Sequence, residues 1–459
     1  MKIKEYLKSL NEKKIAVIGI GISNVPLIKF LSKSGAKITA LDKRKKCELE
    51  ETCEELEKLG ISFILGEDYL DKIPANTEII FKTPGLRCDV PQLLKAVERG
   101  AVLTSDTELF FELCPAEIIA VTGSDGKTTT TTLIYEMLKK EGYDAFVGGN
   151  IGLPLFENIE KIKPDSKVVI ELSSFQLHTL KKSPQISVVT NITPNHLNWH
   201  RDYNEYIEAK KNIFAYRPGG ARVVLNYDNE ITKGFADDSD DFVMFSRKFK
   251  LSKGYFLKNN FIVKASGNEN AKEILDINKI KIPGMHNVEN YMAAIAATEG
   301  LVSNETVRYV AENFGGVEHR IELVRKMNGI SYYNDSIASS PARTEAGLNS
   351  FKQKVILIAG GYDKKIPFDD FGKVVNEHVK ELILVGNTSE KIKTTVLNAD
   401  NYNGLKIHVF GDFKEAVEFS RECAESGDVV ILSPACASFD LFKNFEERGK
   451  AFKDIVNAF

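Results

Sequence analysis

Residues 121–132 read VTGSDGKTTTTT, and this run gathers the residue types that phosphate chemistry needs. Gly123 and Gly126 free the backbone so that N–H groups can face phosphate oxygens, Ser124 and Asp125 lie between them, and a helix N-terminus beyond them adds positive potential. Lys127 brings an ammonium to the β- and γ-phosphates of a nucleotide, and the Thr128 hydroxyl is a ligand for Mg²⁺. Val121 stands where the full phosphate-loop pattern has its first glycine, so the loop is a shortened one. Threonine is a weak helix former, yet Thr128 to Thr132 open a stretch with the apolar spacing of a helix face. At a first turn the N–H groups are unpaired in any case, and hydroxyls such as that of Thr129 can bind phosphate, metal or those donors. A glycine-rich turn capping an ordinary helix is the alternative this stretch alone leaves open.

Other side chains have types and places suited to the same chemistry. Glu171 ends the run VVIE, where a hard oxygen ligand could meet Mg²⁺, and Ser173 follows two residues on. Asn287 and Asn290 stand three apart at the start of an alanine-rich helix, with amides that can hydrogen-bond adenine without charge. Nearer the start, GIGISN holds Gly19 and Gly21, with Asn24 where a dinucleotide fingerprint has Gly or Ala; Asp42 follows about 20 residues on, as for ribose recognition. Read alone, that unit suggests NAD binding.

These residues need strands to end beside them. KIAVIGIG, AKITALD, SFILG, EIIFKTPG and AVLTSD alternate with helical stretches, the pattern of a doubly wound parallel sheet. A second unit begins near EIIAVTGSDGKT, and its strands end in polar or small residues, where ligands collect in parallel sheets. FGGVEHRIELV reads as a linker, followed by four buried-type strands, KVILIAGG, ELILVGN, KIHVFGD and DVVILSPA. The expected fold is α/β with three domains: a Rossmann-like domain at 1–106, a P-loop ATPase-like domain with a mostly parallel sheet at 107–316, and a Rossmann-like domain at 317–459.

The 459 residues carry a net charge of −3, which gives no electrostatic reason to expect a nucleic-acid partner. No run approaches the ~18 apolar residues of a membrane span, and MKIKEYLKSLNEKK has no apolar signal core. The six cysteines form no C-x-x-C pair, so reduced thiols in the cytoplasm are expected.

TGSDGKTT also fits the shorter loop T-G-x-[ND]-G-K-[ST]-[ST], and GGNIGLPL, IELSSFQL, TNITPNHLNWH, IPGMHNVEN, GVEHRIE, NDSIASS, AGGYDKK and LSPACASFDLFKNFEERG follow along nearly the whole chain. With these motifs in this order the chain resembles the Mur ligase family, ATP-dependent amide-forming enzymes of peptidoglycan synthesis. The last motif is similar to that of the branch adding D-glutamate to UDP-N-acetylmuramoyl-L-alanine. The resemblance implies ATP and Mg²⁺ as cofactors, those two compounds as substrates, an acyl phosphate as intermediate, and a monomer. It implies that Lys127, His196 and Lys210 are catalytic, and that Thr128, Glu171, His196 and a carbamylated Lys210 hold metal. It implies nucleotide contacts from residues 123–129, Asn287, Asn290, Arg320 (near phosphate) and Asp335 (on ribose). In the first domain the dinucleotide pocket takes the UDP group instead, through Ser23, Asp42, Lys43 and Arg44, with Asn150 and Ser173 reaching the same substrate from the second. Lys364, Ser438 and Phe445 match residues that hold glutamate. One departure stands out: the family pattern N-D-S-K-A-T-N has a lysine for a glutamate carboxylate where NDSIASSPAR has Ile337, and Arg343 is the candidate replacement. A non-catalytic nucleotide-binding scaffold and a ligase for another amino acid are the remaining alternatives.

Overall fold

The computed structural model describes residues 2–459 apart from 153, 196–198, 238–240, 268–270, 364–366 and 369. The chain forms two compact units, Met1–Asp276 with Glu289–Val310, and Ile277–Val288 with Ala311–Phe459.

The first unit holds two sheets. One has five parallel strands in the order Ser62–Leu65, Lys37–Asp42, Lys14–Ile18, Ile79–Lys82, Val102–Thr104. Its central strands are apolar on both faces because helices cover both, as parallel sheets require. The other has nine strands, in the order Lys272–Asp276, Phe261–Ser266, Lys253–Lys258, Phe242–Ser246, Arg222–Asn226, Ile186–Val189, Glu117–Thr122, Lys167–Glu171, Ala145–Gly149. Its strands from Lys253–Lys258 to Ala145–Gly149 pair in parallel, and two antiparallel strands extend the edge. One apolar cluster runs from Leu27 and Phe30 through Phe110 and Phe156 to Val168 and Val223, so the two sheets share a core.

The second unit holds a six-stranded sheet in the order Glu322–Met327, Ile330–Asn334, Val429–Leu432, Val355–Ala359, Val379–Val385, Lys406–Phe410. Alternation along its strands splits the core in two. Leu357, Leu382 and Ile431 pack on one face, while Ile356, Ile358, Ile383 and Val430 pack on the other.

The sheets contain more antiparallel structure than the sequence reading expects. Part of the supposed linker is the strand Glu322–Met327, paired antiparallel with Ile330–Asn334. Asn328 (φ 52°) and Gly329 (φ 81°) make the two-residue turn between them. Asn259 (φ 48°) and Asn260 (φ 65°) do the same between Lys253–Lys258 and Phe261–Ser266. Two consecutive positive-φ residues match the right-handed twist of a hairpin, and Asn and Gly tolerate that conformation best. Among the described residues no helix is long and apolar enough to cross a membrane.

Candidate nucleotide and ligation site

The loop 123–126 joins the strand Glu117–Thr122 to the helix Lys127–Glu141 at the carboxyl edge of the nine-stranded sheet. Gly126 caps the helix at φ 76° and Gly123 turns at φ 151°. A Cβ at Gly126 would collide with the Asn290 amide, and one at Gly123 with the Thr190 hydroxyl. Asn191 braces the loop: its carbonyl accepts from the Ser124 N–H and its side-chain oxygen from the Asp125 N–H, each at 2.9 Å. Those two amides are therefore engaged within the protein, and the first turn of the helix that follows carries N–H groups with no earlier carbonyl in the helix to meet. The Lys127 ammonium donates to the Ser124 carbonyl at 2.8 Å.

The threonines divide their work. Thr129, Thr130 and Thr131 are buried, and the Thr130 hydroxyl donates to the Asn290 side-chain oxygen at 3.3 Å. Thr132 returns its hydroxyl to the Thr128 carbonyl at 2.8 Å. Short β-branched side chains thus let the helix lie close to the sheet, while Thr128 in its first turn is half-buried. Asn290 and Asn287 lie on the helix Met285–Ala297, three apart as expected, with the Asn287 amide donating to the Pro283 carbonyl.

Glu171 ends the strand next to the loop strand, in register with Val121. It is 1 % exposed; Oε1 accepts from the Asn150 amide at 2.9 Å, and Oε2 is buried without a hydrogen-bond partner. A buried carboxylate oxygen lacking a donor is costly, and a cation would satisfy it. Among the described residues no cluster of three or more His, Cys, Asp and Glu side chains gathers. The unpartnered Glu171 oxygen is a hard donor of the kind Mg²⁺ takes, and Glu171 with the Thr128 hydroxyl would be the side chains to hold it.

Lys210 lies on the helix Tyr203–Ala215 and is 2 % exposed. Its ammonium donates to the Gly123 carbonyl at 2.7 Å and to the Thr122 hydroxyl at 3.4 Å, 4.8 Å from the Tyr206 ring centre. Burial, helped by the Lys127 charge, holds its pKa well below the usual lysine range against the opposing pull of Glu171 and Asp125. Tyr206, one turn earlier, shares a 2.8 Å hydrogen bond with the Ser124 hydroxyl. Sequence reasoning missed Tyr206 and Asn191. The signal for Tyr206 was its four-residue spacing from Lys210, which sets both on one helix face. Ser173 accepts from the Gln176 N–H as the N-cap of the helix Ser174–Leu177. His196 lies outside the described residues.

In the five-stranded sheet, Asp42 is 6 % exposed and fully engaged. Oδ2 accepts from the Ile20 N–H at 2.8 Å, and the Arg44 backbone and guanidinium occupy both oxygens. Burial works to raise its pKa, but the hydrogen bonds from Arg44 and Ile20 prevail and hold it low. Asn24 donates to the Ile18 and Gly19 carbonyls at 3.0 and 2.9 Å, filling the place of the fingerprint's last glycine. Ser23 is half-buried, whereas Lys43 is exposed.

In the second unit, the loops after Ile330–Asn334 and Val429–Leu432 meet the start of the helix Phe445–Asn457. Arg448, buried at 3 % exposure, joins them: Nε donates to the Ser336 hydroxyl at 3.0 Å, Nη2 to the Ser336 and Cys436 carbonyls, and Nη1 to the Ala437 carbonyl. Burial lowers its pKa to about 10. Ser438 is buried beside this staple, and the Phe445 carbonyl accepts from the Ser336 hydroxyl at 2.8 Å. Asp335 is interior: the Ser433 hydroxyl donates to it at 2.7 Å and the Ile321 N–H at 3.3 Å. Burial raises its pKa to about 7. Arg320 is half-buried, and Lys364 lies outside the described residues. Because Arg448 satisfies three carbonyls and a hydroxyl, Arg448→Met should destabilise the second unit by about 3 kcal/mol or more, as measured by denaturant unfolding.

Comparison with known proteins places this arrangement. Models described as Mur ligase MurD-like N-terminal domain, Mur ligase middle domain, and Mur ligase glutamate ligase domain match residues 13–105, 121–298 and 319–436. A protein named UDP-N-acetylmuramoylalanine–D-glutamate ligase from Acetivibrio thermocellus is 55% identical over 462 residues, covering 100% of this chain and 99% of the relative. The protein of the same name from Clostridium botulinum strain Hall is 51% identical, covering 100% of this chain and 98% of its own length. The chain belongs to the Mur ligase family. The three-domain α/β architecture is that of solved family structures. The UDP-N-acetylmuramate–alanine ligase of Thermotoga maritima superposes with a TM-score of 0.59 at 21% identity, over 97% of this chain and 99% of the other.

Proposed function

We propose that this Mur ligase family chain joins D-glutamate to UDP-N-acetylmuramoyl-L-alanine, using ATP, through an acyl phosphate, in cytoplasmic peptidoglycan precursor synthesis. The observation that carries the proposal is the meeting of Lys127, Lys210 and Tyr206 on one phosphate loop, with the unpartnered Glu171 oxygen on the adjacent strand. ATP supplies the phosphoryl group that activates the substrate carboxyl, and Mg²⁺ spreads its charge.

The chain's own residues hold and orient. First-turn amides and Lys127 grip the phosphates, and Thr128 and Glu171 take Mg²⁺. Lys210, whose burial favours the neutral amine, would form an N–C bond to CO₂ and release one N–H proton to solvent, giving a carbamate whose carboxylate would add a ligand for the metal. His196 shields the acyl phosphate. Asn287 and Asn290 take adenine, with Arg320 assigned to phosphate and Asp335 to ribose. Ser23, Asp42, Lys43 and Arg44 receive the UDP group, and Asn150 and Ser173 reach the same substrate. Lys364, Ser438 and Phe445 receive glutamate. The domain borders proposed are 106/107 and 316/317, and the enzyme acts as a monomer.

ADP release with UDP-N-acetylmuramoyl-L-alanine should be sustained only when D-glutamate is added. No release with all substrates present would leave a nucleotide-binding scaffold instead, and sustained release only with another amino acid would change the amino-acid substrate. The Arg343 guanidinium donates to the Ile337 carbonyl at 3.4 Å, which supports Arg343 as the candidate replacement for the family lysine. Arg343→Glu should raise the D-glutamate KM roughly tenfold or more while the ATP KM holds, a difference read by initial rates. An unchanged D-glutamate KM would remove Arg343 from the site.

A further inference from the structure

Beyond the phosphate loop, the structure ties the first sheet to the helix that carries Lys210. The loop 83–89 follows the strand Ile79–Lys82 at the carboxyl edge of the five-stranded sheet. From it, the Arg87 guanidinium forks onto Glu205, with Nη1 to Oε2 at 3.0 Å and Nη2 to Oε1 at 2.9 Å. It holds Asp89 at 2.9 Å through both Nε and Nη2, donates to the Trp199 carbonyl at 2.9 Å, and lies 5.0 Å from the Trp199 ring centre. The Trp199 indole answers with a 2.8 Å hydrogen bond to the Gly85 carbonyl. Only a planar, multidentate cation can serve two carboxylates, a carbonyl and an aromatic face at once.

Glu205 stands in the first turn of the helix Tyr203–Ala215, capped by Asp202. The next residue, Tyr206, bonds Ser124 of the phosphate loop, and Lys210, one turn further, bonds the Gly123 carbonyl. One short helix therefore grips the first sheet's loop at Glu205 and the phosphate loop at Tyr206 and Lys210.

We infer that Arg87 is a positioning residue for ligation: it sets where an acceptor held on the first sheet lies relative to a nucleotide held on the nine-stranded sheet. The inference rests on the ligase reading, in which the acceptor's UDP group sits on the first sheet and its carboxylate must meet the γ-phosphate. A misplacement of about 1 Å far from the reacting atoms can lower the rate on the order of 10²-fold.

The test compares the full-length wild type with Arg87→Met and, as a milder lesion, Glu205→Gln. Each substrate is varied in turn, binding of a non-hydrolysable ATP analogue is measured without acceptor, and thermal midpoints are recorded. The expected result for Arg87→Met is a fall in kcat/KM for UDP-N-acetylmuramoyl-L-alanine of roughly 30-fold with analogue affinity within about twofold, beside a lower midpoint because Asp89 and Glu205 lose their shared cation. Glu205→Gln should show the same selective loss, smaller in size, and it decides the matter if Arg87→Met does not fold. Acceptor kcat/KM within about threefold of wild type overturns the inference, as does a loss spread evenly over analogue affinity, every substrate and the midpoint. Wild type that releases no ADP with this acceptor would instead defeat the ligase reading, whatever Arg87 does.

Discussion

Lys127→Ala is expected to lower ligation by about 10³-fold or more while the protein stays folded. Lys127 is the first residue of the helix Lys127–Glu141, and its ammonium reaches back to the Ser124 carbonyl at 2.8 Å. In the ligase reading a triphosphate competes for that ammonium, because a doubly charged terminal phosphate is a far better partner than one neutral carbonyl. Alanine is the best helix former, so the helix loses nothing intrinsic, and Lys127 is half-buried rather than part of the apolar core. ADP release should fall to background, whereas circular dichroism and the thermal midpoint should match wild type. Turnover within tenfold of wild type would show that the first-turn amides alone carry the phosphates, and the role given to Lys127 would fall.

Much of the fold was legible because parallel strands buried on both faces announce themselves as continuous apolar runs. KVILIAGG and ELILVGN needed no tertiary information to be recognised, and they became Val355–Ala359 and Val379–Val385. Strands outside that pattern were missed. Glu322–Met327 reads ELVRKM, with charges at Glu322, Arg325 and Lys326 and a half-buried profile, so its apolar signal is weak. The cue lay in the turns, since Asn328-Gly329 and Asn259-Asn260 are hairpin dipeptides on composition alone.

The candidate site was legible where chemistry constrains residue type, and illegible where a common residue acts by support. Glycines 123 and 126 are fixed by the Thr190 and Asn290 side chains that a Cβ would strike, so the loop is visible as a pattern. Asn191, Tyr206 and Arg448 are ordinary residues in a sequence. Their importance comes from which distant backbone groups they satisfy, and that requires the fold. Asp335 is a further case: the carboxyl is interior, where burial outweighs the Ser433 hydrogen bond and raises its pKa to about 7, and a charged residue type gives no sign of that in a sequence.

Lys210 is where stability and function should part most sharply. Its amine is buried and held well below the ordinary lysine pKa, so the unfolded chain binds one more proton than the folded chain from that depressed value up to about 10.4. Stability is therefore reduced in full below the depressed pKa, and the reduction fades as pH rises toward about 10. Lys210→Met keeps the length of the side chain and removes the titrating group. In bicarbonate-free buffer its thermal midpoint at pH 7 should equal or exceed that of wild type, and the advantage should shrink as the pH is raised. Ligation, by contrast, should fall by about 10³-fold, because methionine can neither accept CO₂ nor supply an oxygen beside Glu171. ¹³C-bicarbonate should label a carbamate carbon in wild type and not in the variant. A variant that ligates within tenfold of wild type, or a wild type that takes up no label, would remove the carbamate from the mechanism. Lys210 would then be a buried amine that braces the Gly123 carbonyl and nothing more.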